Sequence, residues 1–138
     1  MILVSGEVVK GLQAAAKHTL PSQISHFEKV IPDLKGCYLG TINLKLEKAV
    51  RVENPDLETR CEWAGPPGEL FGFLEVGLEF PFGSRPRRAW IYIPHCSPHY
   101  GNPFQVEVIS EKVEGLGYGS RCQIHISRGT IELDTVVV

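Results

Sequence analysis

Polar and apolar residues alternate without a break through Gly40-Thr41-Ile42-Asn43-Leu44-Lys45-Leu46. In an extended strand Ile42, Leu44 and Leu46 fall on one face and Thr41, Asn43 and Lys45 on the other. The strand that carries them is expected to span 38–46. β-Branched and aromatic residues with a similar period recur over 2–9, 70–80, 88–94, 104–110, 121–127 and 130–138, so each is expected to be a strand. Gly72 and Gly77 interrupt 70–80 and predict a bend. One segment follows another rule. Ile24, Phe27, Val30 and Ile31 recur near helical spacing, Ser22 stands where a cap belongs, and Pro32 follows. That pattern predicts a short helix over 21–31. Ala14-Ala15-Ala16-Lys17 favours a further helical turn. The polar stretch 47–59 reads as a connection, with strand character only around 50–52. Pro66-Pro67-Gly68, the segment 81–86, the segment 115–119 and Arg128-Gly129 supply turns. About seven strands, one short helix and many turns predict a mainly β chain folded as a compact antiparallel barrel.

Composition narrows the functional classes. The chain of 138 residues is one domain's worth and long enough for a hydrophobic core. Its 43% hydrophobic and 22% charged residues are ordinary for a folded protein. A net charge of -2 argues against general nucleic-acid binding, which needs a basic surface. No run of eighteen apolar residues is present, so no membrane span is expected. The first residues have no basic start and too short an apolar run for a secretion signal, which predicts a cytoplasmic protein. Cys37, Cys61, Cys96 and Cys122 are scattered with no Cys-x-x-Cys pair. They are expected to be free thiols rather than a zinc ribbon or a redox pair. Nothing in the sequence marks a protein partner.

Candidate chemistry begins with the alternating strand. Thr41 and Asn43 point the same way, and two neutral oxygens on a rigid strand suit a hard cation that keeps most of its water, such as magnesium beside a phosphate. The same pattern also describes a strand whose polar face simply meets solvent. His95 and His99 stand four apart, but Pro94 and Pro98 bar the helix that would give this spacing meaning. Residues 95–99 read better as a loop lining a ligand pocket. Gly115, Gly117 and Gly119 lack the helical pattern and the lysine of a phosphate loop, and read as a turn. Arg85, Arg87 and Arg88 are either a solvated run or a source of positive charge for a ligand. Trp63, Trp90 and Tyr92 could stack on a flat ring, but strand aromatics usually belong to a core.

Four blocks together carry a resemblance. Gly40-Thr41-Ile42-Asn43-Leu44-Lys45-Leu46 is the most specific. The others are Gly6-Glu7-Val8-Val9-Lys10-Gly11-Leu12, Ile91-Tyr92-Ile93-Pro94 followed by His99, and Val106-Glu107-Val108-Ile109. In this combination the chain resembles the archaeal-type CTP-dependent riboflavin kinases from about Gly6 to Ile126. The resemblance implies a six-stranded cradle-loop barrel with one short helix, formed by residues 1–138 as a single domain. It implies that Thr41 and Asn43 hold Mg2+, and that Ser97, three residues after Pro94, touches the flavin. Glu107 would do the same if the intervening loop is two residues longer than the family's. The implied reaction moves a phosphoryl group from CTP to riboflavin, giving FMN, with Glu107 orienting the reacting hydroxyl. Because two neutral ligands are too few to dehydrate magnesium alone, the ion is expected to bind only together with a nucleotide.

Two features depart from the family. Its glycine-rich nucleotide loop is represented by Gly11-Leu12-Gln13-Ala14-Ala15-Ala16-Lys17, which keeps the first glycine only. Gly11 and Lys17 are therefore the candidates for nucleotide and phosphate contact. A Leu-Arg pair of the family is replaced by Val113-Glu114, and a negative charge near a phosphate is unfavourable. The alternative reading follows from these departures: a flavin- or nucleotide-binding module on the same barrel that has lost the kinase step.

Overall fold

The computed structural model describes residues 1–10, 27–29, 31–34, 37, 41–61, 69–94 and 102–138. The expected turn at Ala14–Lys17, the cap at Ser22, Gly11, Trp63, and the whole segment 95–99 with Ser97 lie outside them. The strands are β1 (Ile2–Val9), β2 (Ile42–Leu46), β3 (Ala49–Arg51), β4 (Leu57–Cys61), β5 (Glu69–Glu79), β6 (Arg87–Pro94), β7 (Gln105–Ile109), β8 (Arg121–Ile126), β9 (Thr130–Glu132) and β10 (Thr135–Val137). Residues 27–29 are helical, and a single 3-10 turn spans Pro32–Leu34.

Six strands close on themselves. β1 lies between β2 and β8, β2 pairs with β7, β7 with β6, β6 with β5, and β5 returns to β8. Every one of these pairings is antiparallel, so the barrel leaves no open edge in its wall. Period-2 alternation decides what points inward. Val4 and Val8, Leu44 and Leu46, Leu74, Val76 and Leu78, Ile91, Val106 and Val108, and Ile124 and Ile126 fill the interior. Val50, Val136 and Val138 join this core from the small sheet in which β10 runs parallel to β3 and antiparallel to β9.

β5 is long enough to serve two neighbours on one edge. Its first half pairs with β4, from Leu57 opposite Phe73 to Cys61 opposite Glu69, and its last residues pair with β8, from Gly77 opposite His125. Gly77 makes this closure possible. A Cβ there would lie 3.1 Å from Cβ of Pro86 and 3.2 Å from Cβ of His125. Of the two glycines expected to bend this strand, Gly77 falls where the barrel wall closes.

The outer face of β5, β6 and β7 carries a second apolar cluster. Phe71, Phe73, Trp90, Tyr92 and Ile109 are covered there by Phe27 and Leu34. Phe27 meets Phe71 and Phe73 edge-on, with ring centroids 5.0 and 5.2 Å away. Arg88 braces the same region. Its guanidinium pairs with Glu75 at 2.7 Å, reaches Asp33 of the 3-10 turn, and lies 5.0 Å over the Trp90 ring.

Two expectations are revised. The stretch 47–59, read as a connection with strand character around 50–52, contains β3 in line with that character, and also the start of β4, which was not expected. The single strand expected over 130–138 is a hairpin, turning at Leu133 with φ 53° and Asp134. Of the strand expected over 38–46, residues 38–40 lie outside the described residues, and β2 runs from Ile42. Among the described residues Cys37 and Cys122 are free thiols, and burial pushes the Cys122 thiol up to about 11. Among those residues, no helix is long and apolar enough to cross a membrane.

Candidate functional site

Strand register assembles the site. Asn43 of β2 stands opposite Glu107 of β7, and Glu107 stands opposite Tyr92 of β6. Val9 extends this row on one side and Phe73 on the other. All of these side chains project from the outer face of the barrel, because directly opposed residues in a sheet share a face. Thr41, two residues before Asn43, shares it too. Its hydroxyl Oγ1 donates to Oε1 of Glu107 at 3.2 Å. Thr41, Asn43 and Glu107 therefore form one polar group at the margin of the aromatic cluster. Lys45 continues the face beyond Asn43, exposed and opposite Glu7.

Burial within this group is uneven. Thr41 and Glu107 are half-buried, whereas Asn43 is only 7% exposed. Among the described residues, no donor reaches the buried Oδ1 of Asn43. A buried amide oxygen left without a partner costs about 1–3 kcal/mol, and so marks a position where a ligand can repay burial. Across β2 and β7 it faces the Glu107 carboxylate, which offers no proton when ionised. A cation is one group that the Asn43 oxygen can bind. Hard oxygen donors of this kind fit magnesium or a similar divalent ion. No cluster of three His, Cys, Asp or Glu side chains occurs among the described residues.

The other sequence candidates fare differently. Gly11, Lys17 and Ser97 lie outside the described residues. Glu114 is exposed on a turn whose neighbour Val113 is buried in the barrel core. Gly115 and Gly119 both adopt positive φ, 78° and 87°, in successive turns, and the backbone of residues 119–120 bonds to Val8 of β1. Trp90 and Tyr92 are core residues, 4% and 2% exposed, so neither presents an open ring face. Arg88 is engaged by Glu75, Asp33 and the Trp90 ring. What sequence reasoning missed is the union of Thr41 and Asn43 with Glu107. Counting parity along one strand relates Thr41 to Asn43, but only the pairing of β2 with β7 adds the carboxylate.

A separate groove of about 520 Å³ opens where β4 and β8 part along β5, beside Asp56, Glu75, His125 and Arg128. Several of its polar groups engage one another, while the buried Nε of Arg87 has no partner among the described residues. Asp56 accepts from the Glu75 amide at 2.7 Å and pairs with Arg128 at 2.9 Å, while His125 lies 2.7 Å from Glu79. Gly83 donates to the other Glu79 oxygen, and these two bonds hold the Glu79 carboxyl below the usual carboxylate range. These contacts bind strands together. The chain matches no protein-family model, and no functionally curated protein matches it.

Proposed function

We propose that the outer-face group Thr41–Asn43–Glu107 is the cation- and hydroxyl-binding half of a phosphotransferase site, acting on riboflavin with CTP as donor and giving FMN. The observation that carries this reading is the convergence of three residues that the resemblance to the archaeal-type riboflavin kinases singles out one by one. Phosphoryl transfer asks little covalent work of a protein; positioning and charge compensation supply most of the catalysis. Thr41 and Asn43 would hold Mg2+, which when bound neutralises phosphate charge. Glu107 accepts a hydrogen bond from the ribityl hydroxyl and so orients it for attack. Thr41 fixes that carboxylate by donating to one of its oxygens. Tyr92 and Phe73 continue the row as an apolar border that limits water beside the carboxylate.

Fluorescence titration of riboflavin tests this reading. Quenching at micromolar protein, weakened about tenfold in Glu107→Gln, is expected, since a charged hydrogen bond contributes about 1–2 kcal/mol more than a neutral one. Absence of quenching at high micromolar protein rules out the flavin site. The second reading, a binding module without the kinase step, is favoured by Gln13 and Ala15 in place of loop glycines. Alanine keeps the backbone amides but restricts the positive φ and close approach that a phosphate cradle uses. Calorimetry with riboflavin, FMN, CTP and ATP, each with and without magnesium, separates the two.

A further inference from the structure

We infer that Glu107 is itself a cation ligand, so that Thr41, Asn43 and Glu107 bind a hard divalent ion without any nucleotide. The inference does not depend on riboflavin being the substrate. Two neutral oxygens alone would leave the ion in water, because its dehydration needs a charged partner. The fold provides one. Glu107 is directly opposite Asn43 across β2 and β7 and accepts from Thr41 at 3.2 Å. Adjacent ligands about 2.1 Å from a six-coordinate ion stand about 3.0 Å apart, close to the spacing of the Thr41 and Glu107 oxygens. The Thr41 hydroxyl can keep its proton on the carboxylate while its lone pairs face the ion.

Asn43 supplies an independent reason. Its side chain is 7% exposed, lies on the same face, and presents an Oδ1 that no donor among the described residues satisfies. A water could occupy such a position, but a cation beside a carboxylate binds the same oxygen with a charge in its favour. Ligand order follows: the ion enters first, and a phosphate then replaces part of its water.

Manganese is the practical probe, because binding removes the EPR signal of the free ion. In the full-length protein with no nucleotide and no flavin, one ion per chain is expected to bind with half-saturation near about 1 mM. Magnesium should compete for it. Glu107→Gln should weaken binding at least about tenfold and Thr41→Val at least about threefold, since a charged ligand contributes more than a neutral one. Glu132→Gln, on the exposed strand β9, should leave it unchanged. Circular dichroism of each variant checks the fold. If Glu107→Gln does not fold, Asn43→Leu decides by the same criterion, because leucine preserves the strand. Manganese uptake that requires CTP, or that survives Glu107→Gln or, in its place, Asn43→Leu at full strength, overturns the inference. Uptake without riboflavin quenching keeps it and removes the flavin reading instead.

Discussion

Truncating Phe27 to alanine should separate the outer cluster from the barrel core. Phe27 is fully buried and is the principal aromatic contribution to the cluster from outside the barrel wall. It touches none of the side chains that fill the barrel interior, which form their own cluster. Removing a buried phenylalanine costs about 3–5 kcal/mol, of which each edge-to-face partner accounts for about 0.5–1.5 kcal/mol. Phe71 and Phe73 at 5.0 and 5.2 Å place the expected loss in that range. Local release of the covering segment limits the loss, so about 3 kcal/mol is expected at the global transition. For a domain of this size that lowers Tm by about 10 °C. Phe27→Leu keeps most of the volume and should cost about 1–1.5 kcal/mol. Urea denaturation followed by circular dichroism and tryptophan fluorescence measures both variants. A loss under about 1 kcal/mol for Phe27→Ala, or equal losses for the two variants, refutes the packing argument.

Three further outcomes are expected. Because the folded Glu79 carboxyl lies below its ordinary range, held there by the Gly83 amide and then by His125, it contributes stability that is present at neutral pH and lost as pH falls through the folded value. Urea midpoints measured from about pH 3 to 7 should therefore fall more steeply in acid for the wild type than for Glu79→Gln. Gly129→Ala should destabilise by more than about 2 kcal/mol, because a Cβ at φ 114° would lie 2.7 Å from the Val137 carbonyl oxygen; Gly83→Ala, at φ 87° in open space, should cost about 1 kcal/mol. Replacing Gln13 and Ala15 with Gly together with Glu114→Arg should raise CTP affinity in calorimetry, and a wild type that already binds CTP at low micromolar concentration counts against the reading of those departures.

The wall of the barrel was legible because alternation is local. Every interior residue of β1, β2 and β7 belongs to a period-2 pattern that can be counted along the chain, and a mainly β barrel follows from enough such patterns. β4 was harder to read. Leu57, Thr59 and Cys61 alternate with Glu58 and Arg60, but with one large apolar residue among them the pattern does not stand out from a polar connection, and what holds the segment extended is its pairing to β5. The hairpin at 130–138 was hidden for the opposite reason. Ile131 and Leu133 look like the inward positions of a strand, yet Leu133 is 96% exposed and turns the chain. Hydrophobicity predicts burial only where a neighbouring element is there to receive the residue.

The candidate site divides along the same line between local and distant information. That Thr41 and Asn43 share a face follows from their spacing alone. That Glu107 joins them depends on a contact between residues 66 apart in sequence, and on a register in which a one-residue slip would turn Glu107 inward and expose Val106 or Val108 instead. The apolar pair therefore fixes the polar one. Val106 opposite Leu44 and Val108 opposite Ile42 pack inside the barrel, and Glu107 and Asn43 are left facing each other outside it. The interior core is thus what brings a carboxylate to the oxygen of Asn43. A substitution that moved this register would disrupt the polar group and the core together, so the site and the hydrophobic pattern of β2 and β7 are specified by the same residues.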